Sequence, residues 1–348
     1  MKALKLSVML LAWLSGVTLW AQSTPSTALL VLAKRDQSLG IVDPATLKVI
    51  AAIPAGPDPH EVVAAADGKL AFISNYGGGA YNTITVVDLL AQKQLTRVDL
   101  GALRGPHGLA YAGGKLYFTT EVNKAIGRYD PAAQTVDWVL GTGQNRTHMI
   151  AVSKSLDHIF TSNVNSGTVS IIEKTSSSGG GFPAPLPGQV AGGVPGGSDW
   201  DETVIVTGRG TEGFDVSPDE KELWSAAAQD GTVSIIDLAS RKVIRTLQAS
   251  VKGANRLKFT PDGRFVLVST LFGGGDLVVF DSSSRRALKR IKLGHGAAGI
   301  LVPPGGTHAY VACSPDDYVA VINLKTLQVV GHIDTGREPD GLAWVARQ

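Results

Sequence analysis

One short pattern returns seven times along this chain of 348 residues, and a repeat of that pitch leaves few folds open. The copies open on Pro59-His60-Glu61-Val62, Pro106-His107-Gly108-Leu109, Thr147-His148-Met149-Ile150, Thr211-Glu212-Gly213-Phe214, Ala254-Asn255-Arg256-Leu257, Ala297-Ala298-Gly299-Ile300 and Pro339-Asp340-Gly341-Leu342. The steps between their second residues are 47, 41, 64, 43, 43 and 42. A unit of about 40–45 residues holds four short strands but cannot bury its own faces, so the units must stack on one another. Four-stranded units of this kind close into a ring, the β-propeller. The repeat therefore predicts an all-β fold and places any site where the copies converge, at the central channel.

The copy at 255–293 shows how a unit is written. Residues 256–260 (RLKFT) alternate as a half-buried strand, and the turn PDGR follows at 261–264. Residues 265–270 (FVLVST) form an apolar second strand, 277–281 (LVVFD) a third, and 287–293 (ALKRIKL) a half-exposed outer one. The chain ends complete the count. Residues 29–55 carry only a second, third and fourth strand, while residues 339–345 carry only a first. Pairing them makes one blade from both termini. The expected fold is a seven-bladed β-propeller with four antiparallel strands per blade, closed so that no edge strand is left free.

Two stretches fall outside the repeat. Lys2 and Lys5 precede an apolar run from Leu6 to Trp20, and Ala21 precedes a polar segment, so residues 1–21 read as a signal peptide. The expected mature domain is residues 22–348, periplasmic or secreted, without a membrane span after cleavage. The long step of 64 reflects an insertion at 176–201, rich in Gly, Pro and Ser, between a third and a fourth strand. It is expected to be a flexible surface loop on the face away from the first-strand openings.

Charge narrows the partners. The chain has 32 Lys and Arg against 30 Asp and Glu, and loss of Lys2 and Lys5 leaves 30 against 30. A neutral surface disfavours nucleic acid and anionic membranes as partners. A small molecule or a protein remains, and a monomer is expected. The single cysteine, Cys313, excludes an internal disulfide, so stability must come from packing.

The opening slot of the first strand reads His60, His107, His148, Glu212, Asn255, Ala298 and Asp340 in the seven copies. Three of the seven histidines in the chain thus fall in seven positions. A second ring, at the end of the second strand, reads Lys34, Asn75, Glu121, Asn163, Ala227, Thr270 and Cys313. Both rings face one mouth of the channel. Polar members crowd into three consecutive copies, which suits a ligand on one wall. Imidazoles with a carboxylate hold a divalent metal or supply a general base, so His107, Glu121 and His148 are candidate metal ligands. Asn75, Asn163, His60, Glu212, Asn255 and Asp340 are candidate ligand-binding residues. Arg104, Arg146, Arg209, Arg256 and Arg337 flank the slot, and with Asp58, Glu61 and Glu338 nearby they read as a solvated mixed rim. No Cys-x-x-Cys-His haem, His-Glu-x-x-His or Gly-x-Ser-x-Gly motif is present, so no cofactor is assigned beyond a divalent metal as a candidate.

The segments Ser217-Pro218-Asp219, Thr260-Pro261-Asp262-Gly263, Ala309-Tyr310-Val311-Ala312 and Ile235-Ile236-Asp237 resemble the YVTN-type propeller repeat across residues 29–345. That resemblance implies the fold and leaves function open. One copy, with Pro106-His107-Gly108 followed by Phe118-Thr119-Thr120-Glu121, resembles a blade of the virginiamycin B lyase-like propellers. It implies a catalytic role for His107 and a metal-binding one for Glu121. Three function classes follow: a binding protein with its site at the His-rich mouth, a metal-assisted lyase or lactonase, and an extracellular scaffold. The reading leans to binding rather than catalysis.

Overall fold

The computed structural model describes residues 23–176, 198–272 and 274–347, which form seven four-stranded antiparallel sheets. The expected signal peptide lies outside them, as does most of the insertion. Numbering blades from the N-terminus, blade one pairs Thr27–Ala33, Ser38–Asp43 and Lys48–Pro54 with the C-terminal strand Pro339–Ala346. Blades two to seven occupy residues 59–99, 106–141, 147–206, 211–248, 254–292 and 300–334 in turn. The protein is a seven-bladed β-propeller, closed by the shared blade. Leu29 lies opposite Trp344 and Val31 opposite Leu342. A backbone bond from Arg347 N to Ser26 O, 2.8 Å long, fastens the seam.

Burial follows position in the blade. The second strands Leu70–Asn75 and Phe265–Thr270 are buried almost throughout, because blades press on both faces. The outermost strand Thr135–Gly141 alternates exposed and half-buried residues, as a strand with one wet face should. Cores lie between blades rather than within them. Trp224 of blade five stands edge-on to Phe259 and Phe280 of blade six, at 5.8 and 6.5 Å between centroids. The third and fourth strands of blade four run to Ser176 and from Ser198, so the ends of the expected loop at 176–201 are paired strand.

The inner strands share one irregularity that matters for the site. Pro59 pairs with Asn75 but Val62 with Ile73, so one extra residue sits on the inner strand. The same bulge recurs in blades three to six. A bulge re-aims the side chains it contains, and these are the slot residue and the one after it. Serine and threonine on the second strands hold the bulges. Thr119 Oγ1 accepts from Gly108 N at 2.9 Å and donates to His148 O of the next blade at 2.8 Å. Ser162 bridges Met149 N and Glu212 O in the same way, and Ser269 bridges Arg256 N and Ala298 O. Each hydroxyl thus joins one bulge to its neighbour.

The residue after the slot alternates in size: Gly341, Glu61, Gly108, Met149, Gly213, Arg256 and Gly299 from blade one to blade seven. The glycines are required by close approach. A Cβ on Gly108 would lie 2.4 Å from His148 O, one on Gly213 2.7 Å from Arg256 Cα, and one on Gly341 2.5 Å from His60 O. Gly108→Ala is expected to lower stability by about 1–3 kcal/mol, the usual cost of an overpacked site that must spread. Chemical denaturation of the two proteins measures it, and an unchanged midpoint would show that the inner strands are free to part.

Candidate functional site at the channel mouth

Bulged inner strands carry His60, His107, His148, Glu212, Asn255 and Asp340 to one mouth, where they line a cavity of about 660 Å³. The three imidazoles form a row across blades two to four. Ring centroids of His60 and His107 are 5.0 Å apart, and those of His107 and His148 only 3.8 Å. Tyr76 stands edge-on to both His60 and His107, at 4.9 and 5.2 Å.

Glu121 lies behind this row, 6% exposed at its side chain, and gathers the buried polar groups. It accepts from Tyr76 Oη at 2.5 Å, meets Arg146 Nε at 3.3 Å, and is hydrogen-bonded to His148 Nδ1. His148 Nε2 lies 3.4 Å from Glu212 Oε1, an ion-pair contact rather than a hydrogen bond. Burial opposes charge on His148, but Glu121 and Glu212 outweigh it and hold the imidazole pKa above its ordinary value. Burial likewise opposes charge on Glu121, and His148, Tyr76 and Arg146 together bring its pKa below the usual carboxylate range. The Tyr76 hydroxyl is pushed up to about 12 by burial and by Glu121, so it serves as a donor.

His107 shares with His148 a ring nitrogen left without a hydrogen bond. It is 2% exposed, and its Nδ1 has no hydrogen-bond partner among the described residues. Burial, reinforced by the neighbouring charges on His148, Arg256 and Arg146, pulls its pKa well below the ordinary value. The ring is therefore neutral, with a lone pair available to a cation or a proton donor. Ligand atoms of His107, Glu121 and His148 all lie within 4.8 Å of one another. Two imidazoles and a carboxylate at that spacing suit a borderline divalent ion such as Zn²⁺ or Co²⁺ better than Mg²⁺ or Ca²⁺.

The other slot residues are engaged with one another. Asp340 meets Lys34 at 3.4 Å and His60 Nδ1 at 3.7 Å, and His60 Nε2 meets Asp58 at 3.3 Å. Asn255 donates to Glu212 at 2.8 Å. Arg256 is not part of a wet rim. Its guanidinium is buried, bonded to Asn255, 3.8 Å from Glu212, and paired with Glu61 on the far side of the channel. The pair forms a bar across the axis. Arg256 faces the mouth cavity on one side and a second cavity of about 330 Å³ on the other, walled by Leu109, Met149, Leu301 and Trp344.

Asn75 and Asn163 do not line the mouth. Asn75 is fully buried, donates to Ala55 O at 2.9 Å and accepts from Thr85 at 2.8 Å. Asn163 is fully buried on Thr168 and Ser170. The register explains this. Asn75, Thr120, Asn163 and Thr270 are the equivalent strand ends, each opposite the residue that precedes the slot. Glu121 and Lys34 come one residue later, and a one-residue step reverses the side-chain direction. The equivalents of Glu121 in the other blades are Lys34, Tyr76, Val164, Ala228, Leu271 and Ser314, of which Lys34, Tyr76, Leu271 and Ser314 line the mouth. Cys313 is buried, its thiol pushed up to about 12 by burial, and it offers no reactive group.

Comparisons with known proteins agree on the fold. A family model, the cytochrome D1 heme domain, matches residues 173–310. The histidines in that span, His158 being outside it, are His295 and His308, and neither lines the mouth. The matched residues therefore supply the mouth with no imidazole that could hold a haem iron. A functionally unknown protein from Desulfotomaculum acetoxidans superposes with a TM-score of 0.73 at 12% identity, covering 92% of this chain and 99% of that one. A protein described as a "putative 6-phosphogluconolactonase" from Bacteroides uniformis gives 0.70 at 14% identity, covering 92% and 99%. Hydrazine synthase of Kuenenia stuttgartiensis gives 0.66 at 17% identity, covering 82% and 89%. No curated protein matches the sequence of this chain.

Proposed function

We propose that the protein is an exported propeller of the YVTN type that binds a small ligand at the His-rich mouth, with a divalent transition metal held by His107, Glu121 and His148. One observation carries the reading. A buried imidazole nitrogen, His107 Nδ1, lies without a hydrogen-bond partner among the described residues and beside a buried carboxylate. Orphaned buried polar atoms are costly, and a metal ion removes that cost. Bound there, the ion supplies a positive charge against which a donor atom of a ligand can settle. His60 and Asp340 flank the entrance, and Tyr76 and Arg146 fix the orientation of Glu121. Support for the YVTN type comes from the Pro-Asp turns at Pro218 and Pro261, which join inner to second strands as that repeat implies. Support for export is the segment from Lys2 to Ala21.

The test is a titration of the chelator-treated protein with Zn²⁺, Co²⁺, Mg²⁺ and Ca²⁺. Uptake of one equivalent of Zn²⁺ or Co²⁺ is expected, with weaker uptake of the other two. A concentration 100 times the Kd should stabilise the fold by about 2.7 kcal/mol, visible as a rise in melting temperature. His107→Gln keeps the volume of the ring while altering its donor, and is expected to weaken Zn²⁺ at least about 100-fold, near 2.8 kcal/mol. Unchanged Zn²⁺ affinity in that variant would place His107 among the purely structural residues.

A second reading is a metal-assisted lyase or lactonase. It is favoured by the placement of both residues of the lyase-like copy, His107 and Glu121, within ligand distance of each other. In that case an ion held by His107, Glu121 and His148 would polarise a carbonyl, and His60, which flanks the entrance outside that ligand set, would be placed to move a proton. Turnover of a lactone panel that appears with Zn²⁺ and vanishes in His107→Gln would decide for it over binding alone.

A further inference from the structure

We propose that the mouth takes an amphipathic ligand: a small molecule with a metal-binding anionic head, such as a hydroxamate or carboxylate, joined to an apolar ring or chain. This rests on the reading of His107, Glu121 and His148 as metal ligands and adds the class and orientation of what binds there. The cavity has two unlike walls. Blades two to four present imidazoles, Tyr76 and Arg146, whereas the apolar lining, Leu271, Phe272, Ala298 and Pro315, comes from blades six and seven, beside Asn255, Arg256, Ser314 and Asp317. The cavity of about 660 Å³ falls in the range that encloses ligands of drug size.

Phe272 is the telling residue. It is 74% exposed, on a loop that the fold does not need to be aromatic. Its backbone is nevertheless held firmly. Leu271 N donates to Gly253 O at 2.8 Å, and a Cβ on Gly253 would lie 1.8 Å from Phe272 O. Gly253 has φ +74°, so both its conformation and the space beside it exclude a side chain. An anchored backbone that displays a large apolar ring at a cavity offers a face on which an apolar group can stack. Arg146 places a permanent positive charge on the facing wall, beside Glu121. A ligand with its anionic head toward the histidines and its apolar part on Phe272 and Pro315 satisfies both walls at once. A compact polar ligand would leave the apolar wall wet, and a wholly apolar one would strip water from the charged wall without replacement.

The test compares acetohydroxamate with benzohydroxamate on the full-length, Zn²⁺-loaded protein by calorimetry. The two share a head and differ in the apolar body. Benzohydroxamate is expected to bind about 10- to 100-fold tighter, the effect of burying one ring face. Phe272→Ala is expected to shrink that advantage to about 3-fold. The same variant should leave Zn²⁺ affinity and acetohydroxamate affinity unchanged. Zn²⁺ uptake with equal affinities for the two probes would overturn the ligand class alone. An advantage that survives Phe272→Ala intact would overturn the orientation and with it the proposal. Failure of Zn²⁺ to bind at all would overturn the metal reading, and this one with it.

Discussion

Removal of residues 339–348 is expected to abolish the folded ring rather than trim it. The strand Pro339–Ala346 is the inner strand of blade one, and it buries Ala343 and Val345 against the core shared with blade two. Its loss bares Thr27–Ala33, in which every residue from Ala28 to Ala33 is 0% exposed. A bare apolar edge pairs with other chains. The lost contacts exceed what a domain can spare, since total stability is on the order of 5–15 kcal/mol. The expected observation is loss of the cooperative thermal transition and a shift to large species in size-exclusion chromatography. A soluble monomer melting at the original temperature would contradict closure through the shared blade.

Arg256→Met is expected to destabilise by about 3–5 kcal/mol, because it leaves the Glu61 and Glu212 carboxylates buried beside an apolar side chain. Burial works against the charge on Arg256, and Glu61, Asp340 and Glu212 more than restore it, so its pKa is raised. The pair with Glu61 is the main contact across the channel, so the double variant Glu61→Gln, Arg256→Met should regain a large part of the loss. Urea denaturation of the two singles and the double gives the coupling energy. A double variant whose loss equals the sum of the singles would show that the two groups do not act together. The double variant should also join the mouth cavity to the second cavity, since Arg256 faces both.

Much of this was legible in the residues, and what escaped has a common cause. The pitch gave the blades, and incomplete units at both ends gave the closure, because strand count is a property of local sequence. The slot residues came from the same alignment, and His60, His107, His148, Glu212, Asn255 and Asp340 do meet at one mouth. The second ring was harder. Lys34 and Glu121 were aligned with Asn75 and Asn163, although they lie one residue beyond the strand ends. The recurrent amide or hydroxyl at Asn75, Thr120, Asn163 and Thr270 was the available signal, and using it would have brought Tyr76 and Leu271 into view. The inner bulge leaves no mark in composition, yet it turns the residue after the slot toward the axis. For that reason Arg256 looked like a rim residue, and its partner Glu61, 195 positions away, could not be paired with it from the chain alone.

The large and small residues that follow the slot cannot alternate all the way round, because seven is odd. Three couples form, Gly341 with Glu61, Gly108 with Met149 and Gly213 with Arg256, and Gly299 is left facing the backbone of Asp340 at 2.1 Å from where its Cβ would be. An odd ring with a two-state preference always carries one mismatch, like a seam in a striped band that will not join. Here the mismatch falls between blades seven and one, beside Ala298 and across from the histidines. Parity alone therefore denies the mouth any rotational equivalence. The row of imidazoles accordingly has no counterpart on the facing flank, where Ala298 takes the slot.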